Sequence, residues 1–100
     1  MIHLSGRLIC QTHAQARRVA MALPAHIRLS SAEAGCIAFE VKQTQDPLIW
    51  DLCETFTDRA AFDAHQARSA ASGWAAQNAG IRRAYTITDN TGITTKDSAA

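Results

Sequence analysis

Long apolar runs are absent from this 100-residue chain. Nothing approaches the roughly 18–20 apolar residues that a membrane-spanning helix needs. The opening Met1–Arg7 also lacks the basic-then-apolar layout of a secretory leader. Cysteine is sparse and odd in number: Cys10, Cys36 and Cys53, with no C-x-x-C spacing. That excludes a disulfide framework and a zinc knuckle. It predicts free thiols packed as small hydrophobes in a reducing, cytoplasmic setting. Excess charge of one sign is missing too. The net charge is +1 with its ions scattered, so the basic stripe interleaved with aromatics that marks a nucleic-acid surface is absent. His3, His13, His26 and His65 have no metal-ligand spacing and no H-E-x-x-H. There is no glycine-rich phosphate loop and no nucleophile elbow, so metal, nucleotide and serine-hydrolase chemistries drop out.

What is present is an ordinary globular composition, 47% hydrophobic and 19% charged. A chain this short buries only roughly 60–65% of its unfolded surface, which predicts a thin core and favours self-association. Ile2 to Cys10 alternates, with Ile2, Leu4, Gly6, Leu8 and Cys10 on one side, as in a half-buried strand. Thr12 to Gln15 has the form of a capping box opening a helix. Ala16, Val19, Ala20, Leu23 and Ile27 follow at helical spacing, and Pro24 predicts a kink or restart. Past Gly35, Cys36–Thr44 and Leu48–Phe56 read as two strands joined by turn chemistry at Gln45-Asp46-Pro47. Burial selects the register that puts Ile37, Phe39 and Val41 on one face with Trp50, Leu52, Glu54 and Phe56. Asp58 suits an N-cap for a helix through Phe62 and His65. A further helical stretch holds Trp74 and stops at Gly80, and Ile81–Asp89 alternates again. Residues 90–100 read as a small polar tail after a domain of residues 1–89.

The order β-α-β-β-α-β is that of a ferredoxin-like α+β domain with an antiparallel sheet. Its helices cover one face only. The other would carry Ile9, Cys36, Ala38, Ile49, Cys53 and Ala84 among His3, Glu40 and Asp51. That surface is apolar enough to predict a homodimer packed sheet on sheet.

Two residues could carry proton chemistry. The chosen register sets the carboxylate of Glu54 among Phe39, Leu52 and Phe56, where it must be paired, hydrogen-bonded or protonated. It reads either as a proton acceptor or as a structural Glu held by backbone, Arg83 or a helix end. His65 shares the core-facing side of its helix with Phe62, and its ordinary pKa of about 6.5 suits proton transfer. It also reads as a core histidine. Phe39, Trp50, Phe56 and Trp74 are either core or the lining of a flat aromatic slot. Arg7 and Arg83 either bind an anionic oxygen or reach to solvent.

The run Ala32–Val41 (AEAGCIAFEV) and the run Trp50–His65 (WDLCETFTDRAAFDAH) together resemble the antibiotic biosynthesis monooxygenase domain family. They match in E-x-G-C followed by an aromatic, then a strand Glu, an aromatic, and a helix ending in Ala-His. The resemblance spans roughly Ile2 to Thr88. It implies a dimeric α+β barrel that oxidises a small phenol, quinol or anthrone with O2 and without cofactor. Glu54 and His65 would be catalytic, and Phe39, Trp50, Phe56, Trp74 and Arg83 would hold the substrate. The haem-degrading branch fits badly: Phe56 stands where its members carry Trp, and Trp74–Gln77 where they carry a haem-binding His. A non-catalytic binding or accessory dimer, or an isomerase using the same pocket, are the alternatives.

Overall fold

The structure is a computed structural model and describes residues 1–98. Its elements run β1 (Ile2–Ile9), α1 (His13–Ser31), β2 (Cys36–Gln43), β3 (Ile49–Phe56), α2 (Arg59–Ala70), α3 (Gly73–Gln77), β4 (Arg82–Asp89) and β5 (Gly92–Ser98). The five strands form one antiparallel sheet in the order β2-β3-β1-β4-β5. The ferredoxin-like α+β expectation therefore holds, with a fifth strand added. Among the described residues no helix is long and apolar enough to cross a membrane.

Local chemistry sets the element ends. The Thr12 hydroxyl accepts from Gln15 N at 3.1 Å, while the Gln15 side-chain oxygen accepts from Gln11 N at 2.7 Å. Asp58 caps α2 by accepting from Ala61 N at 2.8 Å. Both caps satisfy N–H groups that have no partner inside the helix.

The helices pack on the face bearing Leu4, Leu8, Val41, Trp50, Glu54 and Phe56. Beneath α1, Val19 and Leu23 join Leu8, Val41, Trp50, Trp74 and Ile81. Beneath α2, Phe62 joins Ile2, Leu4, Phe56 and Ile87. Phe39 and Leu52 touch both clusters and join them.

Four expectations are corrected. First, α1 runs unbroken through Pro24, so the helix does not restart. Val19 and Leu23 before the proline and His26 and Ser30 after it are all buried on one side, and that anchoring outweighs the one lost hydrogen bond. Second, a bulge between Cys36 and Ala38 sends Ile37 outward, where it is 55% exposed. Cys36 instead pairs opposite Phe56 and packs inward. Third, Cys53 is exposed rather than buried. Fourth, the expected polar tail is largely a strand. β5 pairs along β4 through a tight turn in which Asp89 accepts from Thr91 N, Thr91 Oγ1 and Gly92 N.

The uncovered face is more polar than its apolar members suggested. Arg7 pairs with Asp51 at 3.1 Å, and His3 meets the Thr55 hydroxyl at 3.0 Å. Ile93 of β5 adds an exposed apolar side chain there.

Gly35 fixes how the β2–β3 hairpin meets α2. Its φ is +82°, and a Cβ there would lie 2.6 Å from Ala61 Cβ and 2.7 Å from Thr57 Oγ1. Its carbonyl accepts from Thr57 N at 2.8 Å. Gly35→Ala is expected to destabilise the fold by about 2–4 kcal/mol, since left-handed strain and overpacking act together. A urea melt reads this directly, and an unchanged midpoint would contradict it.

Candidate active site

Alternation along β3 turns Trp50, Leu52, Glu54 and Phe56 to the helix side. The ladders then place Leu4 of β1 and Phe39 of β2 on either side of Glu54. The Glu54 carboxyl group thus sits in an apolar wall, only 5% exposed. α2 lowers His65, 2% exposed, onto it one helical turn after Phe62. His65 Nε2 stands 3.5 Å from Glu54 Oε1. That distance lies at the edge of hydrogen bonding, and Oε1 has no hydrogen-bond partner among the described residues. On the other side of the ring, Nδ1 lies 2.9 Å from Glu33 Oε2. Glu33 sits in the turn between α1 and β2. Its second oxygen is met by Arg68 Nε, and Arg68 Nη2 donates to the buried Ser30 hydroxyl at 2.8 Å.

Aromatic rings close the site. Phe56 and Phe39 have centroids 5.0 and 5.4 Å from that of His65. His26 of α1 lies 5.9 Å from His65 and meets the edge of Phe39 at 5.2 Å. It also stacks on Trp74 of α3 at 4.3 Å, with the planes 2° apart.

This environment decides the protonation states. Burial, helped by the neighbouring Glu33 carboxylate, pushes Glu54 up to about 7. Burial holds His65 below its ordinary value against the opposing pull of Glu33, with Arg68 adding to the depression. His26 is driven down to about 4 by burial, with His65 and Arg68 acting the same way. At neutral pH, then, Glu54 divides between acid and carboxylate while both imidazoles stay neutral. A carboxylate of that kind is a competent proton acceptor in a dry site.

The expected site residues fall into two places. Glu54, His65, Phe39 and Phe56 form the cluster just described. Trp74 and Arg83 instead line a groove of about 350 Å³ beside Gln66, Asn78, Ile81 and Tyr85, between α2, α3 and β4. A smaller recess of about 40 Å³ shares Gln66, Arg83 and Tyr85 with that groove and is otherwise lined by Leu4, Arg7, Leu8 and Leu52. Leu4 is the cross-strand neighbour of Glu54 and Leu52 precedes it by two on the same face, so these two leucines separate the recess from the carboxylate. Trp50 lines neither hollow and is packed with Leu8, Val19 and Leu23. Arg83 does not pair with Glu54.

Glu33, Arg68 and His26 were not singled out from sequence. Glu33 stands first in the E-x-G-C run, which was its available signal. His26 lies three residues past Leu23 on the buried stripe of α1. Arg68, three residues past His65, gave no signal of its own.

Comparison with known proteins agrees with this architecture. The family model described as antibiotic biosynthesis monooxygenase matches residues 12–77. No curated protein matches the sequence. Among solved structures, the chain is similar to a Nitrosomonas europaea protein provisionally named an antibiotic biosynthesis monooxygenase. The TM-score is 0.75 at 19% identity, covering 90% of this chain and 98% of that one. It is also similar to Rv0793 of Mycobacterium tuberculosis, with a TM-score of 0.65 at 23% identity over 88% and 92% of the two chains. A third structure, described as an antibiotic biosynthesis monooxygenase, gives 0.68 at 21% identity and covers 100% of both. At such identities these structures share the fold.

Proposed function

Because the chain belongs to the antibiotic biosynthesis monooxygenase family, we propose that it oxidises a small, flat phenol, quinol or anthrone with O2, without a cofactor. The observation that carries this reading is the buried Glu54, raised to about 7 and facing His65 inside a cage of aromatic rings.

The groove at Trp74, Ile81, Arg83 and Tyr85 offers a flat substrate one aromatic face and a guanidinium for an oxyanion. Its recess, lined in part by Leu4 and Leu52, is at about 40 Å³ too small for such a substrate as it stands. Movement of those two side chains would open the way to Glu54. Glu54 then takes the acidic proton, and the resulting anion is electron-rich enough to react with O2. For an anthrone, the deprotonated carbon gains one oxygen atom as a carbonyl. The second oxygen leaves as water, and all four electrons come from the substrate. We further propose that two copies associate through the uncovered sheet face, where Ile9, Ile49, Ala84 and Ile93 interleave with polar side chains.

The test is O2 uptake by purified, metal-free and flavin-free protein with a panel of quinols and anthrones. The base works only when ionised, so the rate is expected to climb with pH through about 7 and level off above it. A pH-independent rate, or activity only with added flavin or metal, would contradict the mechanism. A binding-only role is the second reading, favoured by the wall of Leu4 and Leu52 between recess and carboxylate. Saturable binding of apolar ligands without turnover would support it. Turnover without O2 would point to an isomerase.

A further inference from the structure

We propose that Glu33 is a positioning residue for His65, holding the imidazole in its Nδ1–H form with the Nε2 lone pair turned to Glu54. The proton inventory leads there. Arg68 offers only donors, and its Nε and Nη2 are committed to Glu33 and Ser30. The Glu33 carboxylate offers only acceptors, so at 2.9 Å the hydrogen between it and His65 must come from Nδ1. A neutral imidazole has a single N–H, so Nε2 is bare. Bare Nε2 faces Glu54 Oε1 at 3.5 Å, an oxygen otherwise without a partner among the described residues. A proton on Glu54 Oε1 therefore meets the lone pair of His65 Nε2. The pair shares that proton, and Glu33 stands behind the ring to stabilise the imidazolium when it crosses.

The groups facing His65 are Glu33 and Arg68 on one side, Glu54 on the sheet and His26 on α1, with Cys36 of β2 near both carboxylates. Glu33 and Arg68 cancel each other's charge. Moving the proton from Glu54 to His65 thus makes a new ion pair without changing the net charge of the site. An ordinary Glu33–Arg68 salt bridge would hold the loop in place and leave the tautomer of His65 free, so the tautomer separates the two roles.

The side-chain ¹⁵N shifts of uniformly labelled protein near pH 7.5 report it, with His65 assigned by the signals lost in His65→Gln. The unmodified protein is expected to show a protonated Nδ1 and a bare Nε2. In Glu33→Gln, Arg68 still requires an oxygen. The amide therefore turns its NH2 to Nδ1, and the proton moves to Nε2. Glu33→Ala is expected to move it to Nε2 as well, the form that imidazole prefers in water. Should Glu33→Ala fail to fold, the isosteric Gln variant carries the test. A proton on Nε2 in the unmodified protein, or one that stays on Nδ1 in the folded variants, overturns the proposal.

The rate measurement rests on the oxygenase reading above. There, Glu33→Gln should lower kcat roughly tenfold or more with KM nearly unchanged, by analogy with the carboxylate that orients a catalytic histidine. The pH profile should also move to lower pH, because an Nε2–H donated to Glu54 favours its ionised form. An unchanged kcat in a variant whose tautomer has switched overturns the catalytic role. Absence of any turnover defeats the oxygenase reading and leaves the tautomer measurement to decide this one.

Discussion

Glu54→Gln is expected to lower turnover about 10²- to 10⁴-fold, the range for loss of a positioned general base, while making the protein more stable at alkaline pH. The amide keeps the shape of the side chain and cannot accept the substrate proton, so kcat falls and the groove is untouched. The gain in stability follows from linkage. A carboxyl raised from about 4.5 to about 7 on folding binds more protons folded than unfolded across that window. Stability therefore falls as pH rises from about 4.5 to about 7 and stays low above it, a loss of roughly 3 kcal/mol at about 1.4 kcal/mol per pH unit. His26 slopes the other way. Its folded value is about 4, so stability is lost as pH falls from about 6.5 through 4 and the unfolded chain gains a proton that the folded one refuses.

In the native protein the two slopes oppose between about pH 4.5 and 6.5, and stability should change little there. Glu54→Gln removes one slope and exposes the other. With allowance for a buried amide, the variant should exceed the parent by about 1–3 kcal/mol at pH 8 and lose that advantage in acid. Urea melts at pH 5 and pH 8, beside O2 uptake, measure both effects. A variant that retains turnover would remove Glu54 as the base. One that is less stable than its parent at pH 8 would show the carboxylate to be better solvated than its 5% exposure implies.

Phe56→Ala is expected to cost about 3–5 kcal/mol, the usual range for emptying a buried phenylalanine site. Phe56 is 0% exposed, meets Phe62 edge-on at 5.6 Å and supports the His65 ring at 5.0 Å. Small domains are stable by only about 5–15 kcal/mol, so the loss is a large part of the total. Phe56→Leu keeps most of the volume and should cost less than half as much. Chemical denaturation of the two variants decides the matter. A loss below about 2 kcal/mol for Ala would mean that α2 settles into the cavity, and His65 would move with it.

The site was partly legible before folding. Glu54 stood out because period-two alternation assigns each strand residue a face, and a carboxylate on an apolar face is an anomaly in one dimension. His65 was found through its three-residue spacing from Phe62. Arg83 and Trp50 were grouped with them by residue type alone. The sheet sends Arg83 to the groove and Trp50 into the core under α1. Glu33 lies 32 residues from His65 and 35 from Arg68 in sequence, and no periodicity connects residues so far apart.

The same division runs through the fold. Asp58 and Thr12 as caps, the stop at Gly80 and the alternation along β3 follow from interactions within a few residues, so the sequence contains them. The bulge at Cys36/Ala38 adds one residue without altering composition, and it moved Ile37 outward. Gly92–Ser98 reads as a tail because it has no apolar alternation, yet it forms β5. An edge strand needs little, since its backbone pairs with β4 whatever its side chains are.

By itself the sequence determined the first four strands, the main helices, most of their faces and the presence of one misplaced carboxylate, because those depend on local sterics and on which side chains avoid water. Only the tertiary structure decided what that carboxylate faces. Packing α2 on the sheet sets His65 over Glu54, and the turn after α1 brings Glu33 behind the ring. The charge states of all three depend on burial, which no short stretch of chain possesses on its own.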